Sequence, residues 1–294
     1  GTGGGKSLMF NGHMDVVGTA GMTNPFVPRI DDGRMYGRGA YDMKCGVAAA
    51  LIAAKRAKPL ALRGDVHVAC VADEEVASIG SQAIVREMRR WPADAVVVTE
   101  PTELELIVAH KGFVWLEIET FGTAAHGSRP QLGVDAIAKM GAVLVELERL
   151  DLRLRANPTH PHLGSGSLHA SLISGGQELS SYPARCVLGV ERRTLPNEPA
   201  PVVERQIQAI LDGLAALDPD FKAALRIGLT REPFGVAEDS RLVTQISAHA
   251  ERILGVAPKR AGVPYWADAA LFSAAGIPTV IFGPTGAGAH AAEE

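Results

Sequence analysis

The chain has 294 residues and a net charge of -4; hydrophobic residues make up 47% and charged residues 21%. That balance is ordinary for a soluble globular chain, long enough for one large or two ordinary domains around a substantial core. No Lys/Arg block is present that could track a polyanion, and no charge-free apolar run reaches about 18 residues, so neither nucleic acid nor a membrane span is expected. Three cysteines, Cys45, Cys70 and Cys186, lack a CxxC spacing and read as reduced thiols of a cytoplasmic protein. The chain opens at Gly1 without a methionine, and both ends read as cut.

In chain order, Ser7–Phe10 reads as a buried strand. Gly46–Ala57 reads as an Ala-rich helix. Asp65–Ala72 (DVHVACVA) is rich in β-branched residues and predicts a strand, Ser78–Arg90 a helix with a basic end, and Ala95–Thr99 a strand. Alternation of strands and helices argues for a mixed or parallel α/β sheet with crossover helices. The texture changes near Lys111. Phe113–Phe121 (FVWLEIETF) alternates apolar and polar residues as a half-exposed strand does. An amphipathic helix follows over Val134–Leu150, then strands at Ser167–Ile173 and Cys186–Arg192. A helix over Pro199–Leu217 and a strand over Ala224–Leu229 complete a β-α-β-β-α-β order, the signature of a small open-faced sandwich. After Pro233 the first texture returns, with helices over Leu242–Leu254 and Ala267–Ala275, a strand at Thr279–Phe282 and a Gly-rich loop. The expected organisation is a domain of residues 1–112 and 229–294 with residues 113–228 inserted into it.

Five segments carry chemistry, each at or near a strand end, where open α/β sheets bind ligands. In Gly12-His13-Met14-Asp15, the period of an extended chain puts His13 and Asp15 on one side, so the carboxylate can orient the imidazole. In Gly37-Arg38-Gly39-Ala40-Tyr41-Asp42, small residues let the backbone fold tightly around Asp42. The two oxygens of Asp42 could bridge two cations; the residue could equally cap the helix that follows. Asp73-Glu74-Glu75 is self-repelling unless a cation or solvent relieves it. Adjacent side chains there point different ways, so one carboxylate can bind metal while its neighbour serves as a general base. Glu100 in Thr99-Glu100-Pro101 is a further oxygen donor, and His290 in Gly288-Ala289-His290 a second nitrogen donor. Nitrogen and oxygen donors without thiolates suit zinc, or cobalt or manganese, in an open catalytic site. Two cations about 3.5 Å apart that share Asp42 need one His and one Glu each, and the inventory supplies them. The opening Gly1-Thr2-Gly3-Gly4-Gly5-Lys6-Ser7 resembles the end of a phosphate-binding loop, but such a loop precedes a helix and here a strand follows.

The runs GHMDVV and GRGAYDMK, the pair Glu74-Glu75, the Glu100-Pro101-Thr102 step and the late His290 together resemble the zinc-dependent acetylornithine deacetylase, succinyl-diaminopimelate desuccinylase and glutamate carboxypeptidase family. The resemblance spans nearly the whole chain. It implies an α/β fold: a mixed-sheet zinc-peptidase catalytic domain with an inserted α+β ferredoxin-like lid that also forms a homodimer. It implies two Zn2+, one held by His13 and Glu100, the other by Glu75 and His290, with Asp42 as the bridge. Glu74 matches the general base, Asp15 the residue that supports His13, and the Asp42–Met43 peptide is expected to be cis. In the inserted domain His126 resembles a residue that stabilises an oxyanion, and Arg193 one that holds a substrate carboxylate, with Gly286 in the loop 283–288 as its partner. Arg193 could also pair with Glu191 on the surface.

The implied activity is hydrolysis of the amide bond of an N-acyl amino acid. The alternatives are a metallocarboxypeptidase that releases a C-terminal amino acid from a short peptide, and a non-catalytic, metal-poor binding protein on the same fold. The sequence departs from the family pattern at Cys45, where relatives often have Gly. It departs again at Ser180, where many have Asn three residues before Pro183, and at Trp266-Ala267-Asp268.

Overall fold

The computed structural model describes residues 1–19 and 21–294. In chain order the elements are β1 (Leu8–His13), β2 (Arg29–Asp31), β3 (Arg34–Tyr36), α1 (Cys45–Ala57), β4 (Val66–Val71), α2 (Ile79–Arg86), β5 (Ala95–Val98) and β6 (Leu106–His110). There follow β7 (Gly112–Phe121), α3 (Ala136–Ala156), β8 (Ser167–Gly175), β9 (Arg185–Thr194), α4 (Ala200–Leu217) and β10 (Lys222–Arg231). The chain ends with β11 (Phe234–Gly235), α5 (Arg241–Leu254), β12 (Arg260–Val263), α6 (Ala269–Ala274) and β13 (Thr279–Ile281). It divides into two compact units: residues 1–109, 234–262 and 267–294 form the first, and residues 110–233 and 263–266 the second. No helix among the described residues is long and apolar enough to cross a membrane.

The first unit is built on a sheet in the order β11-β6-β13-β5-β1-β4, with β12 also paired to β6. β4, β1, β5 and β13 run parallel, and β6 lies antiparallel to β13, so the sheet is mixed. Its central strands are buried on both faces, as parallel strands covered by helices must be. Val96, Val97 and Val98 of β5 and Val280 and Ile281 of β13 are at most 3% exposed. Two features draw α1 close. Gly46, at its start, sits so near the end of β5 that a Cβ there would lie 2.0 Å from the Thr99 carbonyl oxygen. Gly12 in β1 is likewise packed under Met43 and Val47. The parallel arrangement leaves the ends of β1, β4, β5 and β13 at one edge, and the segments that follow them converge there.

The second unit is a four-stranded antiparallel sheet in the order β10-β7-β9-β8, joined in the β-α-β-β-α-β sequence of the ferredoxin-like sandwich. Alternate residues of β7, including Val114, Leu116 and Ile118, are buried, and the intervening ones are more open. Against that face α3 lays Met140, Val143, Leu147 and Leu150, and α4 lays Val203, Ile207 and Leu211. Both sets follow the helical period of three and four. Asp135 caps α3 by accepting from the Ala138 amide at 3.0 Å, which sets the helix start at Ala136.

The elements expected from the sequence all form, with ends shifted by a few residues. Five short strands were not expected. β6 is buried at all five positions, so it shows no alternation. β2 and β3 are exposed and form a hairpin around Asp32 and Gly33, both at positive φ, a two-residue turn of the type that Asp-Gly favours. β11 has two residues and β12 four.

Candidate metal centre

Strand ends place the candidate donors other than Asp42. β1 ends at His13, which is 2% exposed. After β4 the chain turns at Asp73, whose φ is 72°, and whose carbonyl accepts from the amides of Ala77 and Ser78; Glu74 and Glu75 lie in that turn. β5 is followed directly by Thr99 and Glu100, the latter 6% exposed. Asp42 sits in the tight turn 40–44 ahead of α1, and its peptide bond to Met43 is cis. His290 follows β13 across the Gly-rich loop.

These side chains converge. His13 Nε2 lies 3.2 Å from Asp42 Oδ1 and 3.7 Å from Glu100 Oε1. His290 Nε2 lies 3.3 Å from Asp42 Oδ2 and 3.3 Å from Glu75 Oε2. Asp42 thus shows one oxygen to each imidazole. Donor atoms of His13, Asp42 and Glu75 all fall within 4.8 Å of one another, and so do those of His13, Glu74 and Glu100. Glu74 therefore reaches the same centre from the His13–Glu100 side.

Asp15 acts on this centre differently from the sequence-based expectation. The His13 Nδ1 contact is to the Asp15 backbone carbonyl, at 3.0 Å, whereas the carboxylate oxygen is 3.6 Å away. Nδ1 is turned to that carbonyl and Nε2 to the carboxylates, so a neutral ring that keeps its proton on Nδ1 would offer Nε2 to a metal. The Asp15 carboxylate accepts from the Glu75 amide at 3.2 Å, so it fixes the acidic turn after β4.

The electrostatics are those of crowded like charges. Burial, then the neighbouring Glu100, Asp268 and Glu75 carboxylates, push Glu74 up to about 10. Glu100 is raised to about 8 by burial and by Asp42, Asp268 and Glu75, with His13 opposing. Glu75 is raised by burial and by Asp42. Burial works against a charge on His13, but the Asp42 hydrogen bond and the Glu100, Glu74 and Asp42 carboxylates outweigh it and raise His13 to about 10. A cradle that holds carboxylates this close, with the rings of His13 and His290 facing them, fits divalent cations. Such cations would favour the ionised carboxylates and the neutral imidazoles together.

Three linked buried polar residues, Asp268, Ser81 and Asn11, were given no role from the sequence. Asp268, 1% exposed, accepts from Ser81 Oγ at 2.5 Å, and Ser81 in turn accepts from Asn11 Nδ2 at 2.9 Å. Burial raises the Asp268 carboxyl, and the hydrogen bonds from Ser81 and Ser78 oppose it. In the sequence Asp268 sits just before a short helix, where an aspartate is normally a cap; only its separation from the other acids hid it.

Gly286 also belongs to the first unit. Its amide donates to Glu103 Oε1 at 3.0 Å, and a Cβ there would strike the Tyr41 ring. His126 and Arg193 belong to the second unit. His126 is exposed, with Nδ1 2.8 Å from Ser128 Oγ. Arg193 donates from Nε to Glu191 Oε1 at 2.7 Å, and its guanidinium lies over the Phe113 ring at 5.2 Å.

A mixed α/β sheet that gathers imidazoles and carboxylates beyond its parallel strand ends defines the class of metal-dependent hydrolases. The model of peptidase family M20/M25/M40 matches residues 9–294. The chain is 31% identical over 292 residues to an acetylornithine deacetylase of Myxococcus xanthus, covering 97% of this chain and 73% of that one. It is 28% identical over 301 residues to a succinyl-diaminopimelate desuccinylase of Nitratiruptor sp., covering 99% and 79%. In fold it is similar to aminopeptidase PepT from Bacillus cereus, with a TM-score of 0.76 at 20% identity over 95% of this chain and 72% of that one. A metallo-carboxypeptidase from Sulfolobus solfataricus gives a TM-score of 0.69 at 18% identity, covering 97% and 79%. The chain belongs to peptidase family M20/M25/M40 and is a hydrolase. Membership, together with the cluster of imidazole and carboxylate donors, implies dependence on metal.

Proposed function

We propose that the chain is a two-zinc amidohydrolase that cleaves the amide bond of a small N-acyl amino acid. The observation that carries the reading is the split of Asp42, with Oδ1 towards His13 and Oδ2 towards His290. In this reading His13 and Glu100 hold one cation, Glu75 and His290 the other, and Asp42 both. Cobalt or manganese can substitute for zinc in a site of such donors. Bound there, the cations supply a water of lowered pKa and polarise the scissile carbonyl.

Glu74 takes a proton from the attacking water and returns it to the leaving amine, the role of a carboxyl beside the centre and not shared between imidazoles. His126 donates to the developing oxyanion, and Arg193, with the loop of Gly286, holds the free carboxylate of the substrate. Arg193 leaves Glu191 to do so, an exchange of one carboxylate for another. The second unit serves as lid and as the surface of a homodimer, and the protein works in the cytoplasm on small molecules.

Support for an acylated amino acid as substrate comes from the two relatives named for deacetylation and desuccinylation. The test is a hydrolysis screen of N-acetyl amino acids, N-succinyl amino acids and dipeptides with added zinc or cobalt. Turnover of an N-acyl amino acid is expected; turnover of dipeptides alone replaces this reading with a peptidase. Glu74→Gln is expected to lower kcat by about 10²–10⁴-fold with both metal equivalents retained. Unchanged turnover in that variant ends the role given to Glu74.

A further inference from the structure

Glu294 is 5% exposed, and its carboxylate is committed on both oxygens. Oε1 accepts from three backbone amides of one turn: Gly39 at 3.0 Å, Tyr41 at 3.1 Å and Asp42 at 2.9 Å. Oε2 accepts from Arg38 Nη1 at 2.6 Å, an ion pair whose two side chains are 2% and 1% exposed. The Glu294 carbonyl accepts from the Gly37 amide at 2.8 Å. The rest of the Arg38 guanidinium donates to the Gly18 carbonyl, at 3.2 and 3.0 Å, and to the Ala291 carbonyl at 3.0 Å.

The segments joined in this way are those that carry the centre. Asp42 is in the turn whose amides Glu294 holds. Ala291 adjoins His290, and Gly18 lies three residues after Asp15. A carboxylate taken out of water is costly unless its lone pairs are filled, and charge-assisted bonds to amides and a guanidinium fill them. Without that carboxylate, the three amides of the turn lose their common acceptor.

We propose that Glu294, neutralised by Arg38, is a positioning residue of the metal centre. It locks the turn that presents Asp42 against the loop that presents His290, so that one Asp42 oxygen faces each imidazole. The inference deepens the proposed function and rests on its reading of Asp42 and His290 as ligands. Groups that orient metal ligands in this way change metal affinity by about 10–100-fold when removed.

The experiment is chelator competition with zinc on the full chain, together with the melting temperature of the metal-free protein. Glu294→Ala is expected to weaken at least one zinc equivalent by about ten-fold or more. Glu294→Gln keeps the size of the side chain and carries the test if the alanine variant does not fold. Its amide can accept from the turn only by directing an N–H donor at Arg38, so it too is expected to weaken zinc about ten-fold. The control is Glu198→Gln, which disrupts the Arg192–Glu198 pair of the second unit, where Arg192 is 2% exposed on its side chain. That variant is expected to lower the melting temperature and leave zinc affinity unchanged. A folded Glu294→Gln protein that binds zinc as tightly as the wild type overturns the inference alone. An equal loss in Glu198→Gln also overturns it, by showing general destabilisation. A wild-type chain that binds no zinc removes the reading of the centre and this inference with it.

Discussion

A carboxylate has two oxygens, and in Asp42 they sit 3.2 and 3.3 Å from two different imidazoles. Replacing one oxygen by an amide removes both the charge and one donor, so Asp42→Asn is expected to lose at least one of two zinc equivalents in metal analysis while remaining folded. The crowding around Asp42 also sets a pH dependence. His13, raised to about 10 from 6.5, stabilises the folded state below its unfolded pKa and loses that contribution as pH rises through the folded value. Glu74, raised to about 10 from 4.5, has the same sign, because the folded chain keeps a proton that the unfolded chain has already released. The metal-free protein is therefore expected to lose stability steadily between about pH 5 and pH 9, and bound zinc to flatten the loss. Melting temperatures measured across that range with and without chelator check this; a metal-free protein that gains stability towards pH 9 contradicts it. His13, Glu75, Glu100 and His290 could be read from the sequence because each comes after a strand-like run, and Asp42 because it stands in a Gly-rich step ahead of a helix. Arg38, Glu294 and Asp268 could not, because their roles depend on partners up to 256 positions away.

At the scale of elements, the centre depends on how closely α1 approaches the end of β5. Gly46 permits that approach, with the Thr99 carbonyl 2.0 Å from where a Cβ would stand. In an isolated helix Gly→Ala gains up to about 1 kcal/mol. Here the added methyl meets backbone, so Gly46→Ala is expected to destabilise by about 1–3 kcal/mol in urea unfolding. A stabilised variant would show that α1 can move away freely. The amphipathic elements were legible, since the alternation in β7 and the three-four spacing in α3 report one buried face each. β6 was not, because all five of its residues are buried, and four apolar residues in a row followed by His110 show no period that tells a strand from a buried turn. The β2–β3 hairpin has no buried face, its apolar pair Ile30 and Met35 being exposed, and only Asp32-Gly33 marks it.

At the scale of the molecule, the chain has two units with separate cores. Leu147 is 2% exposed in the core of the second unit, so Leu147→Ala is expected to cost about 2–5 kcal/mol there. All five candidate ligands belong to the first unit, and zinc affinity is expected to be unchanged in that variant, as chelator competition would show. The most direct test of the two-cation centre is anomalous diffraction at the zinc edge from crystals of the zinc-loaded protein. The expected result is two peaks, one bounded by His13, Asp42 and Glu100 and the other by Asp42, Glu75 and His290. A folded, zinc-saturated chain with no anomalous density among those side chains contradicts the two-metal centre.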